Sequence, residues 1–320
     1  WFEDRGVILK AEEDGRMFPN TDSSQTIIDC LLAEADRYQV EIKLHHEAIG
    51  IKKQGNQFLI ALKNKSDLIA DYVFLAGGGY AKAESFAWLQ VLGHSIELPV
   101  PSLFTFNITD KKLTELMGVV VEDAVVKIVG TKLKELGPVL FTHWGLSGPA
   151  ILRLSAWGAR DLASMNYQFQ IQINWINQSE QALRESWNSI RNRQSDLSLG
   201  HKNPFGLPKS LWEFLLQLAD IDLQTRWSEL GSKAQNKLIH YLTAHEMDVN
   251  GKTTFKKEFV TCGGIRLQEI NAYTMESNII PGLYFGGEIM DVDGITGGFN
   301  FQHAWTSGFV AAKAISEIGE

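Results

Sequence analysis

One stretch near the C-terminus constrains this chain more than any other. Leu283 to Phe285 is a short apolar strand that runs into the pair Gly286-Gly287. An acidic segment with Glu288 and Asp291 follows, then a second pair, Gly297-Gly298, and a segment rich in Ala, Phe and Val. Glycines at both ends of an acidic loop let backbone approach a ligand closely. A helix beginning near Phe299 aims its first N–H groups and the positive end of its dipole back at that ligand. The pattern asks for a flat molecule with hydroxyls for the carboxylate and an electron-rich edge for the helix terminus.

A flavin with its ribityl chain meets that description. The stretch resembles the late signature of the BaiN-like (YhiN-type) flavoproteins, and further blocks of that family occur upstream in order. They are Gly15 to Pro19, Ala76 to Gly79, Phe141 to Ala150, Thr261 to Ile265 and Tyr273 to Ser277. The resemblance covers nearly the whole chain. It implies an α/β protein of the two-dinucleotide-binding-domain class: a Rossmann-like FAD domain with an inserted β-rich domain and a helical subdomain. It also implies FAD as cofactor and NAD(P)H as electron donor. Glu288 takes the place of the acid that holds a ribityl hydroxyl. Gly286, Asp291, Gly297, Gly298, Asn300 and Phe301 fall beside the ribityl and isoalloxazine portions, Ala48 near the adenine, and Gly77 and Gly78 near the ribose and pyrophosphate. Family members open with a strand, a G-x-G-x-x-G turn and a helix that receive the pyrophosphate. No such turn occurs in this sequence, which starts at Trp1. The expectation is therefore an FAD domain that is N-terminally truncated, with apolar sheet surface left exposed and available for homo-oligomer formation.

Composition narrows the function classes. Hydrophobic residues make up 44% and charged residues 21% of 320, with a formal net charge of −8. Phosphate affinity rests on clustered Lys and Arg, so this balance points to a small-molecule substrate and away from nucleic acid. No apolar run reaches the roughly 20 residues of a membrane span and no signal peptide stands at the start, so neither a membrane nor a secreted setting is expected and the location read is cytoplasmic. Two cysteines, Cys30 and Cys262, form neither a disulfide framework nor a metal cluster. His240 and His245, five apart, make a poor metal pair.

Taken in order, Thr21, Asp22 and Ser23 can each cap a helix whose residues Ile27, Ile28, Leu31, Leu32 and Ala35 share one face, expected to be buried. Val40 to Leu44 alternates as a strand, Glu47 to Leu62 reads as a hairpin turning at Gln54-Gly55-Asn56, and Ile69 to Ala76 as a strand ending in glycines. Residues 1–98 are thus the first part of the FAD domain. Prolines at 99 and 101 mark a connector into a β-rich substrate domain, 99–178, in which Tyr167 to Ile173 alternates apolar with glutamine. Within it, Phe141 to Ala150 gives a strand, a loop and a short helix with Ser147 as cap. His143 on that loop is the candidate catalytic proton donor, because an imidazole titrates near neutrality. Residues 179–254 read as a helical subdomain packed with Trp187, Trp212 and Trp227, and 255–320 as the return to the FAD domain.

The resulting expectation is an FAD-dependent oxidoreductase, or a fragment of one, passing hydride from NAD(P)H to an organic acceptor such as a conjugated enone. A flavin-dependent amine oxidase is the second enzyme reading, and a cofactor-free remnant or interaction module the third.

Overall fold

The computed structural model describes residues 1–13, 15–253 and 260–318. The return to the first domain expected at Phe255 lies outside them. The fold is α/β. Its opening segment pairs β1 (Leu9–Ala11) with β2 (Met17–Pro19) antiparallel, and Ser23 then caps α1 (Ser24–Arg37) by accepting from the Gln25 N–H. The apolar face of α1 departs from expectation. None of its residues is buried, and Ile28, Leu31 and Leu32 are 45%, 40% and 50% exposed. Nor does Val40 to Leu44 form a strand. Alternation alone does not make one, because a strand needs a neighbour for its N–H and C=O groups, and Val40, Ile42 and Leu44 project outward instead.

The hairpin is present where the sequence puts it, as β3 (Ala48–Gln54) and β4 (Gln57–Leu62) with Gln54 opposite Gln57. The strand expected over Ile69 to Ala76 is two, β5 (Leu68–Ala70) on the hairpin's edge and β6 (Val73–Leu75) in another sheet. The short helix α2 (Ala87–Val91) leads to β7 (Ile96–Pro101).

Next come β8 (Thr105–Ile108), α3 (Lys111–Thr114), β9 (Val120–Ile128), β10 (Lys134–Thr142) and β11 (Gly145–Ser147). β9 runs unbroken over nine residues. The helix α4 (Pro149–Trp157) is capped by Gly148 rather than Ser147, with Pro149 in its first turn. Then follow α5 (Ala159–Ser164), β12 (Gln168–Asn174), α6 (Glu180–Arg193), α7 (Lys209–Leu218) and α8 (Ser232–Thr243). The helical run stops there: His245–Thr253 is β13. Six strands close into a barrel in the order β10-β11-β8-β13-β12-β9. Phe104, Phe106, Phe141, Ile171, Ile173 and Trp175 fill it, and its core runs on into Trp187, Trp212 and Trp227 among the helices.

The chain ends with β14 (Thr261–Ile265), β15 (Leu283–Phe285) and α9 (Phe299–Glu317). β15 lies parallel to β6, Phe285 beside Leu75, and β14 pairs with β7. Two compact units result. One comprises Trp1–Leu98, Gly263–Val292 and Gly297–Glu320; the other comprises Pro99–Cys262 and Asp293–Thr296. The first has its own core around Phe58, Phe86, Leu89, Leu283 and Phe285. Among the described residues no helix is long and apolar enough to cross a membrane.

Candidate functional site

The site is assembled around the end of β15. All three of its side chains are buried, which fixes where the strand stops and the glycines begin. Gly286 continues the extended chain against the ring of Phe74, where an added Cβ would sit 2.3 Å from Cζ, so only a glycine backbone passes there undisturbed. The chain then makes one turn of 3-10 helix over Gly287–Ile289. Ser307, buried inside α9, holds this turn: its Oγ accepts from the Gly287 N–H at 3.0 Å and donates to the His303 carbonyl at 2.7 Å. On the far side the Asp291 N–H donates to the Ile265 carbonyl at 2.9 Å. Glu288 and Asp291 are thereby set half-exposed on a rigid turn. Replacing Ser307 by alanine leaves the Gly287 N–H unpaired in a dry setting. The expected cost is about 1–2 kcal/mol, read as a lowered urea midpoint of the first unit.

Gly297 and Gly298 lead into α9 with φ of 124° and 88°. The first intrahelical donor is Gln302, whose N–H bonds the Gly298 carbonyl at 2.9 Å. The N–H groups of Phe299 to Phe301 precede it and point out of the helix start, as the first N–H groups of any α-helix do. Asn300 is half-exposed. Phe299 and Phe301 are largely exposed, and Phe301 stacks on Trp305 at 5.8 Å. The Nε2 of His303 is buried without a hydrogen-bond partner, and burial holds this imidazole below its usual pKa against the opposing bond at Gly287. Arg16 lies alongside: its Cγ is 4.0 Å from where a Gly297 Cβ would stand.

Gly77 and Gly78 follow β6, the strand that β15 pairs with, so both glycine turns leave the same edge of one parallel pair. A Cβ on Gly77 would meet the Tyr80 hydroxyl at 2.9 Å and Ile289 Cδ1 at 3.7 Å. The structure thus brings Gly77, Gly78, Gly286, Glu288, Asp291, Gly297, Gly298, Asn300 and Phe301 into one unit on adjoining turns. Ala48 belongs to that unit but begins β3 in a different sheet, exposed. His143 lies in the second unit, exposed on the β10–β11 turn, with its ring 3.8 Å from that of Trp144. Sequence reasoning misses Ser307 and His303. No signal in the sequence sets them apart, because α9 carries other polar residues, among them Asn300, Gln302 and Thr306.

Behind β15 the first unit carries a buried polar latch. His94 Nδ1 lies 3.3 Å from Glu269 Oε2 and its Nε2 3.2 Å from Ser277 Oγ, while Ser277 also accepts from the N–H groups of Ile279 and Ile280. Burial pulls the His94 pKa down and the Glu269 carboxylate pulls the other way. With its hydroxyl committed to two backbone donors and buried, Ser277 braces the turn before β15. In the second unit Cys262 is buried. Arg160 Nε donates to its Sγ at 3.3 Å, yet burial still pushes the thiol pKa up, so it stays protonated and unreactive. Cys30 is half-buried.

The donor set fits a flavin: two carboxylates on a fixed turn, the start of a 19-residue helix, an aromatic flank, and a buried imidazole nitrogen without a partner. The family described as "HI0933-like protein Rossmann domain" matches residues 1–314. A ribosomal RNA dihydrouridine synthase of Escherichia coli K12 is 33% identical over 96% of this chain and 76% of its own length. The protein of the same name from Haemophilus influenzae is 28% identical over 98% of this chain and 78% of its own. A 3-dehydro-bile acid delta(4,6)-reductase of Clostridium scindens is 26% identical over 99% of this chain and 79% of its own.

Proposed function

Because the chain belongs to the HI0933-like family, we propose that it is a flavin-dependent oxidoreductase that reduces a carbon–carbon double bond conjugated to a carbonyl, using a reduced nicotinamide as donor. The observation that carries this reading is the turn bearing Glu288 and Asp291, fixed against α9 by Ser307. The names of the relatives support the acceptor class. One describes saturation of a uracil ring, the other of a 3-oxo-steroid with double bonds at positions 4 and 6. In both the reduced bond is conjugated to a carbonyl.

A flavin, when bound, supplies a hydride step between nicotinamide and acceptor. The chain's own residues supply the rest. Glu288 would accept from a ribityl hydroxyl, and Asp291 would border the same chain. The N–H groups at the start of α9 favour negative charge on the adjacent ring edge, an effect of preorganised dipoles rather than of titration. Phe301 would border the isoalloxazine ring and limit water there. Gly77 and Gly78 would admit the ribose and pyrophosphate close to backbone, and the backbone at Ala48 would meet the adenine. His143 gives a proton to the reduced substrate, its ring oriented by the edge of Trp144.

The test is an absorbance spectrum of the purified chain before and after excess FAD and desalting, followed by NAD(P)H and then a conjugated enone or uridine. Retained flavin bands that bleach with NAD(P)H and return with the acceptor are expected. Bands that never appear, or that bleach with an amine and not with a nicotinamide, sink the proposal. His143→Gln is expected to slow the acceptor half-reaction roughly a hundredfold while flavin content stays at the parent level.

A further inference from the structure

The outer face of β8, in the second unit, carries a run of polar groups that orients a single amide. Phe106 and Ile108 point into the barrel core, so Thr105 and Asn107 point away from it. Trp144 Nε1 donates to Thr105 Oγ1 at 3.1 Å, and Thr105 Oγ1 donates to the Thr253 carbonyl at 3.0 Å. Thr253 Oγ1 in turn donates to Asn107 Oδ1 at 2.8 Å. With its oxygen pinned in this way, Asn107 is half-exposed, and its Nδ2 donates to none of the described residues. The neighbouring strand leaves room beside it. β13 sets Val249 opposite Ile108 and Lys252 opposite Phe106, so Asn250 and Gly251 bulge past Asn107. A Cβ on Gly251 would stand 3.7 Å from Asn107 Nδ2 and, its own chain neighbours apart, within 4 Å of no other atom of the described residues. At its far end the run reaches the candidate proton donor: the Trp144 ring that bonds Thr105 also lies 3.8 Å from the ring of His143.

We infer that Asn107 recognises the carbonyl oxygen of the substrate and is a specificity-determining residue for the reaction proposed above, on which the inference rests. An amide N–H held in one orientation donates to a carbonyl oxygen and offers nothing to the hydrogen of a hydroxyl or an amino group. The ligand class is a planar compound whose carbonyl is conjugated to the bond reduced. Hydride originating from the nicotinamide adds to the β-carbon and breaks the π bond, whose electron pair moves towards the carbonyl oxygen to give an enolate. Asn107 Nδ2 holds the charge that grows there. The α-carbon then takes one proton, from His143, and the carbonyl is restored.

The experiment is calorimetric titration of the full chain with two pairs of probes that differ at the carbonyl: 2-cyclohexenone against 2-cyclohexenol, and uridine against cytidine. At least one carbonyl probe is expected to bind, about tenfold or more tighter than its counterpart. Asn107→Asp is expected to reverse that preference, because a carboxylate accepts from the hydroxyl or amino group, while the urea midpoint stays near that of the parent. Thr253→Val releases the amide to rotate and is expected to bring the preference close to unity. Failure of both carbonyl probes to bind, a parent without preference, or a preference that survives Asn107→Asp overturns the inference. The flavin spectrum is a separate readout. A chain that prefers the carbonyl probes but never shows flavin bands loses the proposed reaction and keeps the recognition by Asn107; bands that bleach and return, with a preference indifferent to Asn107→Asp, do the reverse.

Discussion

Gly264→Ala is expected to destabilise the first unit by about 4 kcal/mol and to abolish flavin retention. Gly264 sits inside β14 at φ 148°, a backbone conformation that L side chains rarely adopt, and the site is buried. A Cβ there would lie 2.6 Å from the Ile289 carbonyl oxygen and 2.7 Å from the Met290 carbonyl carbon, both backbone atoms with no rotamer to yield. Backbone strain and overpacking each cost about 1–3 kcal/mol. Relief requires β14 to part from the segment after the 3-10 turn, which breaks the parallel bridge between Ile265 and Met290 and the bond from the Asp291 N–H to the Ile265 carbonyl. Asp291 then loses its place. Gly308→Ala is the matched contrast: it lies within α9 with nothing inside 4 Å of an added Cβ, and a gain of roughly 0.5–1 kcal/mol is expected from helix preference alone. Urea titrations of the two variants, with flavin absorbance as the second readout, check the pair. A Gly264→Ala protein as stable as its parent would remove the close approach from the account.

Acid is expected to weaken the second unit by about 3 kcal/mol between pH 6.5 and pH 4. His245 opens β13 with its ring buried, and its Nδ1 accepts from Trp175 Nε1 at 3.2 Å. That bond needs a lone pair on Nδ1, so the proton of the neutral ring sits on Nε2. Burial is the main cause that lowers its pKa to about 4; the charge of His240 adds to the fall, and Asp110 opposes it. The rings of Tyr241 and Phe214 close round the imidazole, neither offering a counter-charge at neutral pH. The sign follows from linkage. The unfolded chain takes up a proton at the ordinary histidine value of 6.5, whereas the folded chain resists it until about 4. The stabilisation is therefore complete above 6.5 and lost progressively as pH falls to 4. Six of the nine tryptophans, Trp144, Trp157, Trp175, Trp187, Trp212 and Trp227, belong to this unit, so tryptophan fluorescence during urea unfolding is weighted towards it. His245→Gln starts lower at neutral pH but is expected to show a flatter pH dependence by about the same 3 kcal/mol. An equally steep variant would assign the acid sensitivity to other groups.

What the sequence discloses is what local period and local turn chemistry determine. The hairpin of β3 and β4, the alternation of β12, the three residues of β15 and the start of α9 at Phe299 are all legible because each is settled within a few residues. Long-range choices are not. Val40 to Leu44 alternates like β12 but finds no partner. The apolar stripe of α1 has helical spacing yet no cover among the described residues. β13 carries a clear signal, with His245, Met247 and Val249 inward and Glu246, Asp248 and Asn250 outward, but its low apolar content hides it behind the helices that precede it. At the site, the glycine pairs and Glu288 stand out as types in a pattern. Ser307 and His303 do not, because a serine in a helix becomes informative only once the turn it holds is packed against it.

The first unit is discontinuous, and this governs the order in which it can form. β6 and β15 are hydrogen-bonded neighbours about 200 residues apart in the chain. A ribosome adding 5–20 residues per second spends on the order of 10–40 s between making one strand and making the other. The second unit, almost all of it contiguous in sequence, can close within that interval. Residues 1–98 must wait with unpaired strand edges and apolar side chains in contact with the crowded surroundings of a nascent chain. Yield in cells is therefore expected to depend on how well that early segment is shielded, and slowing translation after Leu98 is expected to lengthen the wait instead of helping the protein fold.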